Sequence, residues 1–563
     1  MARVSPTPAA VTAATTTIPR QRTDGASGAT TVPRARGRFV TAGLLVSALA
    51  VMLIGYVRMA RANGTNADGA ANAMQAWDLL HGNVGLAGWT LSDVSFYPTE
   101  LVQYALIELV YGLNEDVVHV AAATTYLLLI VFAALAARGE ATGRAAWARI
   151  ALVAAVLLVP QPHAGWAIVL YVPDHTGTGV PLLVAALLID RRAALRRWWP
   201  VAVTAVLTVA QLADPLAMYV GAVPLAAVCV LRLLRAWRAG AEKATDAHLL
   251  VAAAASIALA HAALRLIGAA GGFRVHQPVA EFSAWSDIPG HLSMLWRLVA
   301  VDYGAYFPLL VDDGPWLTGV NYAAGAVKAL LLAAALVAAA VTVARLLGRR
   351  GHADRVAQWL AAGIAVNLTA FAASTQATDM ASARQVVNVL PFGAVLVARV
   401  FGDRLADLCS ARFRRTRPAV RGTAATLAAV LVTAFGVQAA AAPSKPAEGA
   451  EVAAWLQAHD LHYGIGAYWA SHTVTVSSGG RVRIAPIVDE MPRASNWESR
   501  AQWYDPARHD ARFVVVDRTL PRYGTVTGAI ETFGTPLQRV DLPRWTILVY
   551  DHNLLNDLPA HRP

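Results

Sequence analysis

A chain of 563 residues that is 56% hydrophobic and only 15% charged, with a mean hydropathy of +0.45, is far more apolar than a soluble globular protein and reads as a polytopic membrane protein. Its formal net charge of +11 comes largely from arginines in short spacers between apolar runs, which is the positive-inside pattern and excludes nucleic acid as the expected partner. The only cysteines, Cys229 and Cys409, fall toward the side read as cytoplasmic, so an exported part has no disulfide framework.

Residues 1–38 are rich in Ala, Thr, Pro and Arg with little to bury, and are expected to form a disordered cytoplasmic tail. Phe39 to Met59 is a run of about 20 residues, enough to cross a hydrocarbon core about 30 Å thick, and is read as an uncleaved first helix. Residues 60–116 follow as a first outer loop. Its stretch from Asn66 to Thr90, NADGAANAMQAWDLLHGNVGLAGWT, places Asp68 and Asp78 among Trp77 and Trp89 just past the membrane edge, with Asp93 following. A polar, aromatic-rich loop there is where water-facing chemistry can be assembled. Leu101 to Leu113 is mildly apolar and expected to rest on the outer surface.

Further apolar segments run Val117–Ala137, Trp147–Gln161, Val180–Ile189, Pro200–Ala213, Leu216–Leu234 and Ala247–Ile267, with inner spacers marked by Arg138, Arg144, Arg149, Arg191, Arg192, Arg196, Arg197, Arg235 and Arg238. Residues 268–321 form a second outer loop whose Trp285, Trp296 and Trp316 suit a membrane interface. Tyr322–Leu347, Val356–Ala373, Gln385–Val400 and Thr423–Ala441 complete a transmembrane domain over residues 39–441. The count is about 11 transmembrane helices, with the N-terminus in and the C-terminus out. From Pro443 charged residues return, and residues 443–563 read as a soluble extracytoplasmic α/β domain. Its expected helices are Ala447–His459 and Thr525–Phe533, and its expected strands are His472–Val476, Arg481–Val488, Phe513–Val516 and Trp545–Tyr550.

No Walker loop, HExxH, GxSxG or paired CxxC is present, so the marks of nucleotide hydrolysis, zinc proteolysis and serine-hydrolase chemistry are missing. The positive signal is a set of cations at outer helix ends: Arg58, Arg61, His261, Arg265, Lys328 and Arg384. Cations there suit a phosphate. His261 and Arg265 are spaced i to i+4 and share a helix face, and with Lys328 they are expected to share a pocket, snorkelling to headgroups being the alternative. Arg384 can fork onto a phosphate or pair with Asp379. His175, beside Asp174 in a Gly-rich outer turn, is a candidate substrate contact, with local hydrogen bonding as the alternative. Asp214 before Pro215 is expected to cap a turn, and Asp78 to lie on a solvated helix face.

The arrangement of an inner tail, a first span, an outer loop reading DGAANAMQAWDLLHGNVGLAGW, many helices and a terminal outer domain resembles the membrane glycosyltransferases of the GT-C fold, among them mannosyl- and arabinosyltransferases. That resemblance implies transfer of a sugar from a polyprenyl-phosphate donor to a cell-envelope glycan or protein acceptor, in contact with membrane lipids. It carries over to Asp68 the role of catalytic carboxylate. By the chemistry such a transfer needs, Arg384, Lys328, Arg265 and His261 are candidates for the phosphate, and Trp77, Trp89, Tyr97, Asp93 and His175 for the substrates. The chain lacks the adjacent acidic pair of familiar members, which leaves a divalent cation an open question. The rival classes are a transporter or lipid flippase, which would keep ionisable residues near the bilayer midplane and repeat its halves, and a non-catalytic envelope-assembly protein.

Overall fold

The computed structural model describes residues 32–235, 243–276, 281–311, 314–348, 354–410 and 417–560. Arg238, counted above among the inner arginines, lies outside them, as do residues 1–31 of the expected tail. The chain forms two compact units, residues 1–50 and Val51–Pro563. Helix α1 (Val32–Arg61) begins in the first and ends in the second.

Asn66 caps α2 (Ala67–Leu80), its side-chain oxygen accepting the Gly69 N–H at 2.9 Å. The stretch expected as a polar loop is therefore largely helical, with Asp68 in the first turn, where the helix dipole favours a carboxylate. Strand β1 (Trp89–Leu91) and α3 (Glu100–Tyr111) complete the segment between the first two long helices. The helices α4 (Asp116–Arg138), α5 (Gly143–Leu157), α6 (Ala164–Val169), α7 (Asp174–Asp190), α8 (Arg192–Leu195), α9 (Trp199–Ala213), α10 (Val223–Arg235) and α11 (Lys243–Ala269) follow. After β2 (Arg274–Val275) come α12 (Ile288–Asp302), α13 (Pro315–Leu347), α14 (Arg355–Ala373), α15 (Val389–Leu408) and α16 (Arg417–Ala441).

Among the described residues, seven helices are long and apolar enough to cross a membrane: Val40–Arg61, Asp116–Arg138, Met218–Arg235, Lys243–Ala269, Pro315–Leu347, Arg355–Ala373 and Pro418–Ala441. The chain is a multi-pass membrane protein. The other four segments anticipated as spans are also helices, α5, α7, α9 and α15, of 15, 17, 15 and 20 residues. Helix ends are tied by buried charge pairs. Asp246 receives Arg355 at 2.6 Å and Arg232 at 3.1 Å, while Arg399 bonds Asp354 at 2.7 Å and also Asp190. A lone charge buried at such a place would be costly, and a paired one locks the helices it joins.

The terminal part contains α17 (Ala450–Ala458), β3 (Tyr463–Ala467), α18 (Tyr468–Ser477), β4 (Arg483–Val488), β5 (Arg493–Ala494), β6 (Ser499–Arg500), β7 (Phe513–Asp517), α19 (Val526–Phe533), β8 (Gln538–Asp541) and β9 (Trp545–Val549). Six strands form one mixed sheet in the order β5-β4-β3-β7-β9-β8, parallel from β4 through β3 to β7. The segment His472–Val476, expected as a strand, lies inside α18, and this is a correction. A run of Val and Thr favours strand locally, but here the Thr473 and Thr475 hydroxyls bond back to Trp469 and Ser471 carbonyls while Val474 and Val476 are buried in apolar clusters.

A second, three-stranded sheet joins distant parts of the chain. β1 pairs in parallel with β2, Thr90 opposite Arg274, and antiparallel with β6, Trp89 opposite Arg500. The segments 60–116 and 268–321, expected as outer loops, are thus both stitched to the terminal part of the chain. A second seam is the segment before α17: Lys445 N–H donates to the Arg61 carbonyl at 2.9 Å and Glu448 N–H to the Thr65 carbonyl at 3.1 Å. Gly64 permits this close approach, because at its φ of +71° a Cβ would stand 2.7 Å from the Pro446 carbonyl oxygen.

Candidate active site

Beside the second seam, where Glu448 meets Thr65, lies a cavity of about 480 Å³. Asn66 and Asp68 at the start of α2 line it, together with Ala164, Ala167 and Ile168 of α6, and Tyr171 and Val172 beyond it. Met380, Ala381 and Arg384 contribute from a 3-10 turn, and Glu448, Trp469 and Arg544 from the terminal part. Asp68 and Arg384, singled out in the sequence for carboxylate and phosphate chemistry, therefore meet in one cavity.

Each is positioned by local rules. Asp68 is half-buried, and its Oδ1 accepts the Tyr468 hydroxyl at 2.6 Å. Burial, reinforced by the charges of Asp68 and Glu498, holds the Tyr468 phenol well above its usual range, so it remains protonated and donates. Arg384 is exposed, on a turn built by a capping box in which Asp379 Oδ1 accepts the Ala381 N–H at 2.9 Å and the Ser382 N–H at 3.3 Å. Asp379, weighed above as an ion-pair partner for Arg384, caps that turn. Beneath α2, the buried Glu498 carboxyl accepts the Ser92 N–H at 2.9 Å and the Gln75 amide. Burial, opposed by those donors and helped by Asp68, raises its pKa from 4.5 to about 7.

Glu448, Trp469, Tyr468 and Arg544 were not anticipated as site residues. No spacing in the sequence connects them with Asp68, since the seams that unite them are backbone hydrogen bonds between remote segments. Arg544 is held by Asp517 through Nε at 2.9 Å and Nη2 at 2.6 Å, lies 4.4 Å above the Trp545 ring, and has Nη1 3.6 Å from Glu448 Oε2. Burial raises the Glu448 pKa against the pull of Arg544, and the nearby Asp517 and Asp68 charges add to the rise.

The remaining candidates lie elsewhere. Trp89 is 2% exposed; its indole N–H donates to Asp78 at 2.7 Å and its ring meets Trp503 edge-on at 5.0 Å. Arg500 bonds the same Asp78 oxygen at 2.6 Å, so Asp78 joins α2 to β6 and is not a solvated helix face. Trp77 borders this joint and stacks obliquely on His81. Tyr97 packs against Phe273 at 5.4 Å, and Asp93 is half-buried beside β1. His261 and Arg265 are exposed on α11, His261 Nδ1 lying 2.9 Å from its own helix's Ile257 carbonyl. The expected pocket shared by His261, Arg265 and Lys328 does not form, because Lys328 is 2% exposed and directed elsewhere.

Lys328 Nζ donates to the Val156 carbonyl at the end of α5. Helix α5 stops before Pro160 and Pro162, which cannot supply the N–H groups that the Val156 and Leu158 carbonyls would take in a continuing helix. Lys328 serves Val156, the Tyr126 hydroxyl serves Leu157 at 2.7 Å, and the Tyr56 hydroxyl serves Leu158 at 2.9 Å. This capped corner leads directly into α6 and the cavity wall. His175 is likewise buried in a network: Nδ1 lies 2.7 Å from Asp214 Oδ2, which also accepts the Thr178 hydroxyl, and Asp214 Oδ1 caps the following turn through Leu216 N–H at 2.8 Å.

Among the described residues no cluster of three or more His, Cys, Asp or Glu is placed to hold a metal ion. The cavity's two carboxylates, Asp68, which accepts the Tyr468 hydroxyl, and Glu448, 3.6 Å from Arg544, are an incomplete donor set for a divalent cation.

By sequence, no protein-family model and no curated protein matches the chain. By structure, it is similar to ArnT from Cupriavidus metallidurans bound to undecaprenyl phosphate, with a TM-score of 0.53, 14% identity, and coverage of 94% of this chain and 100% of that one. It also matches the Archaeoglobus fulgidus oligosaccharyltransferase at a TM-score of 0.48 and 14% identity, covering 84% of this chain and 68% of that one. The chain has the fold of the GT-C membrane glycosyltransferases.

Proposed function

We propose that the protein is a membrane glycosyltransferase that moves a sugar from a polyprenyl-phosphate donor to an acceptor hydroxyl on the outer side of the cell membrane. The observation that carries this reading is the meeting of Asp68 and Arg384 in one cavity at the junction of the membrane helices and the terminal domain. A protein of the same fold was crystallised with undecaprenyl phosphate, which supports the donor class. In this reading all eleven helical segments span, the N-terminus is inside and the terminal domain outside.

Asp68 takes the proton of the acceptor hydroxyl as its oxygen attacks the anomeric carbon. The bond from that carbon to the phosphate oxygen breaks, and the electron pair leaves with the polyprenyl phosphate. Arg384 offers the guanidinium fork that offsets the charge gathering on the departing phosphate. Tyr468 helps to orient Asp68 by donating to its Oδ1.

The test is a transfer assay with the purified full chain and a set of polyprenyl-phosphate sugars labelled in the sugar. Release of polyprenyl phosphate with appearance of label in an envelope fraction supports the reading; movement of intact labelled lipid across a vesicle without bond cleavage would replace it with a flippase.

A further inference from the structure

The charges in the cavity are arranged unevenly. Arg544 is already matched by the buried Asp517, which takes both its Nε and Nη2, so its net charge is largely spent. The facing group is the Glu448 carboxyl, which would repel a phosphate. A dianion therefore has no reason to settle at this wall.

The wall has the chemistry of a different ligand. Glu448 Oε2 and Arg544 Nη1 are 3.6 Å apart, beyond hydrogen-bond length, and Glu448 Oε2 has no hydrogen-bond partner among the described residues. A hydroxyl donates to the carboxylate and accepts from the guanidinium, and neighbouring hydroxyls can use both. The half-buried indole of Trp469, set edge-on to Tyr468 at 5.3 Å, gives an apolar face beside them. Stacking on an aromatic face plus paired charges for hydroxyls fits a neutral polyhydroxylated ring.

We infer that Glu448, Trp469 and Arg544 form a sugar-ring subsite, so the terminal domain reads the sugar while Arg384 takes the phosphate. This rests on the glycosyltransferase reading and assigns the two halves of its cavity to different parts of the substrates. The ring belongs either to the donor or to the acceptor, and the subsite's chemistry is the same for both. Its position beside Tyr468 also brings the bound ring next to the carboxylate that Tyr468 orients.

The experiment uses the purified full chain and two probes, decaprenyl phosphate and a panel of methyl glycosides of common hexoses and pentoses, the latter followed by saturation-transfer NMR. At least one glycoside binds the parent; Trp469→Ala and Arg544→Met each weaken it about tenfold or more while changing decaprenyl phosphate affinity less than about twofold, and Arg384→Ala does the reverse. Trp469→Ala keeps the test open if Arg544→Met, which strands the buried Asp517, fails to fold. A glycoside that still binds beside saturating decaprenyl phosphate marks an acceptor ring, and one displaced by it marks the donor's own sugar; both support the subsite. Glycoside binding unchanged in both variants, no glycoside bound while decaprenyl phosphate binds, or decaprenyl phosphate weakened by Arg544→Met as much as by Arg384→Ala overturns it. If neither probe binds the parent, the glycosyltransferase reading itself falls.

Discussion

Tyr468 donates its phenolic hydrogen to Asp68 at 2.6 Å across 400 residues of sequence, so the terminal domain holds the carboxylate on which the proposed chemistry depends. The phenol is kept protonated by burial and has its donor role fixed by that state. Removing the hydroxyl while keeping the ring should free the carboxylate to turn without disturbing the packing. Tyr468→Phe is expected to lower kcat about tenfold with KM changed little, because one orienting hydrogen bond of about 1 kcal/mol or slightly more is lost in the step where geometry matters. Steady-state transfer kinetics on parent and variant check this; an equal loss in KM alone would make Tyr468 a binding residue.

Glu498 predicts a pH dependence. Its folded pKa, raised from 4.5 to about 7 chiefly by burial, means the folded state prefers the neutral acid, so the associated stability is full below about pH 4.5 and is lost as pH rises through about 7. That displacement corresponds to about 3 kcal/mol at most. Thermal melting of the purified protein should fall between pH 4.5 and about 7, and Glu498→Gln, neutral throughout, should flatten that slope. A parallel slope in the variant would assign it to other groups.

Lys328 is expected to act on stability through the corner after α5. Lys328→Met fills similar space but leaves the Val156 carbonyl without its donor, at a cost of about 1–3 kcal/mol. The melting temperature should drop, with decaprenyl phosphate affinity reduced only as far as the cavity wall on α6 loosens. A variant as stable as the parent that fails to bind the lipid would restore Lys328 to the phosphate site.

Orientation is testable by itself. Because inner spacers are rich in arginine, a C-terminal reporter active only in the cytoplasm should be silent, and one active only outside should work. The opposite pattern would move the whole cavity to the other side of the membrane.

Much of this was legible in the chain. Apolar run length and the arginine spacers marked the eleven apolar segments, and the position of Asp68 after the first of them pointed to the residue that lines the cavity, as did the cation Arg384. The strand Phe513–Val516 was readable from its apolar run, being buried on both faces. What was not legible depends on long-range closure. Trp89 looked like a sugar platform or an interfacial ring because its partners Asp78 and Trp503 meet only through the β1 and β6 pairing. Lys328 looked like a phosphate ligand because nothing near it in sequence reveals that two prolines elsewhere leave carbonyls in need of a donor. Val474 and Val476 suggested a strand because local propensity does not register the tertiary burial that keeps α18 helical.

The central claim is that Asp68 is the carboxylate that accepts the acceptor's proton, and Asp68→Asn tests it most directly. The amide keeps the shape and a hydrogen-bond acceptor for Tyr468 but removes the base, so melting temperature and decaprenyl phosphate affinity should stay close to the parent's while sugar transfer falls by about 10² or more. Transfer at near-parental rate by a well-folded Asp68→Asn protein would contradict the account.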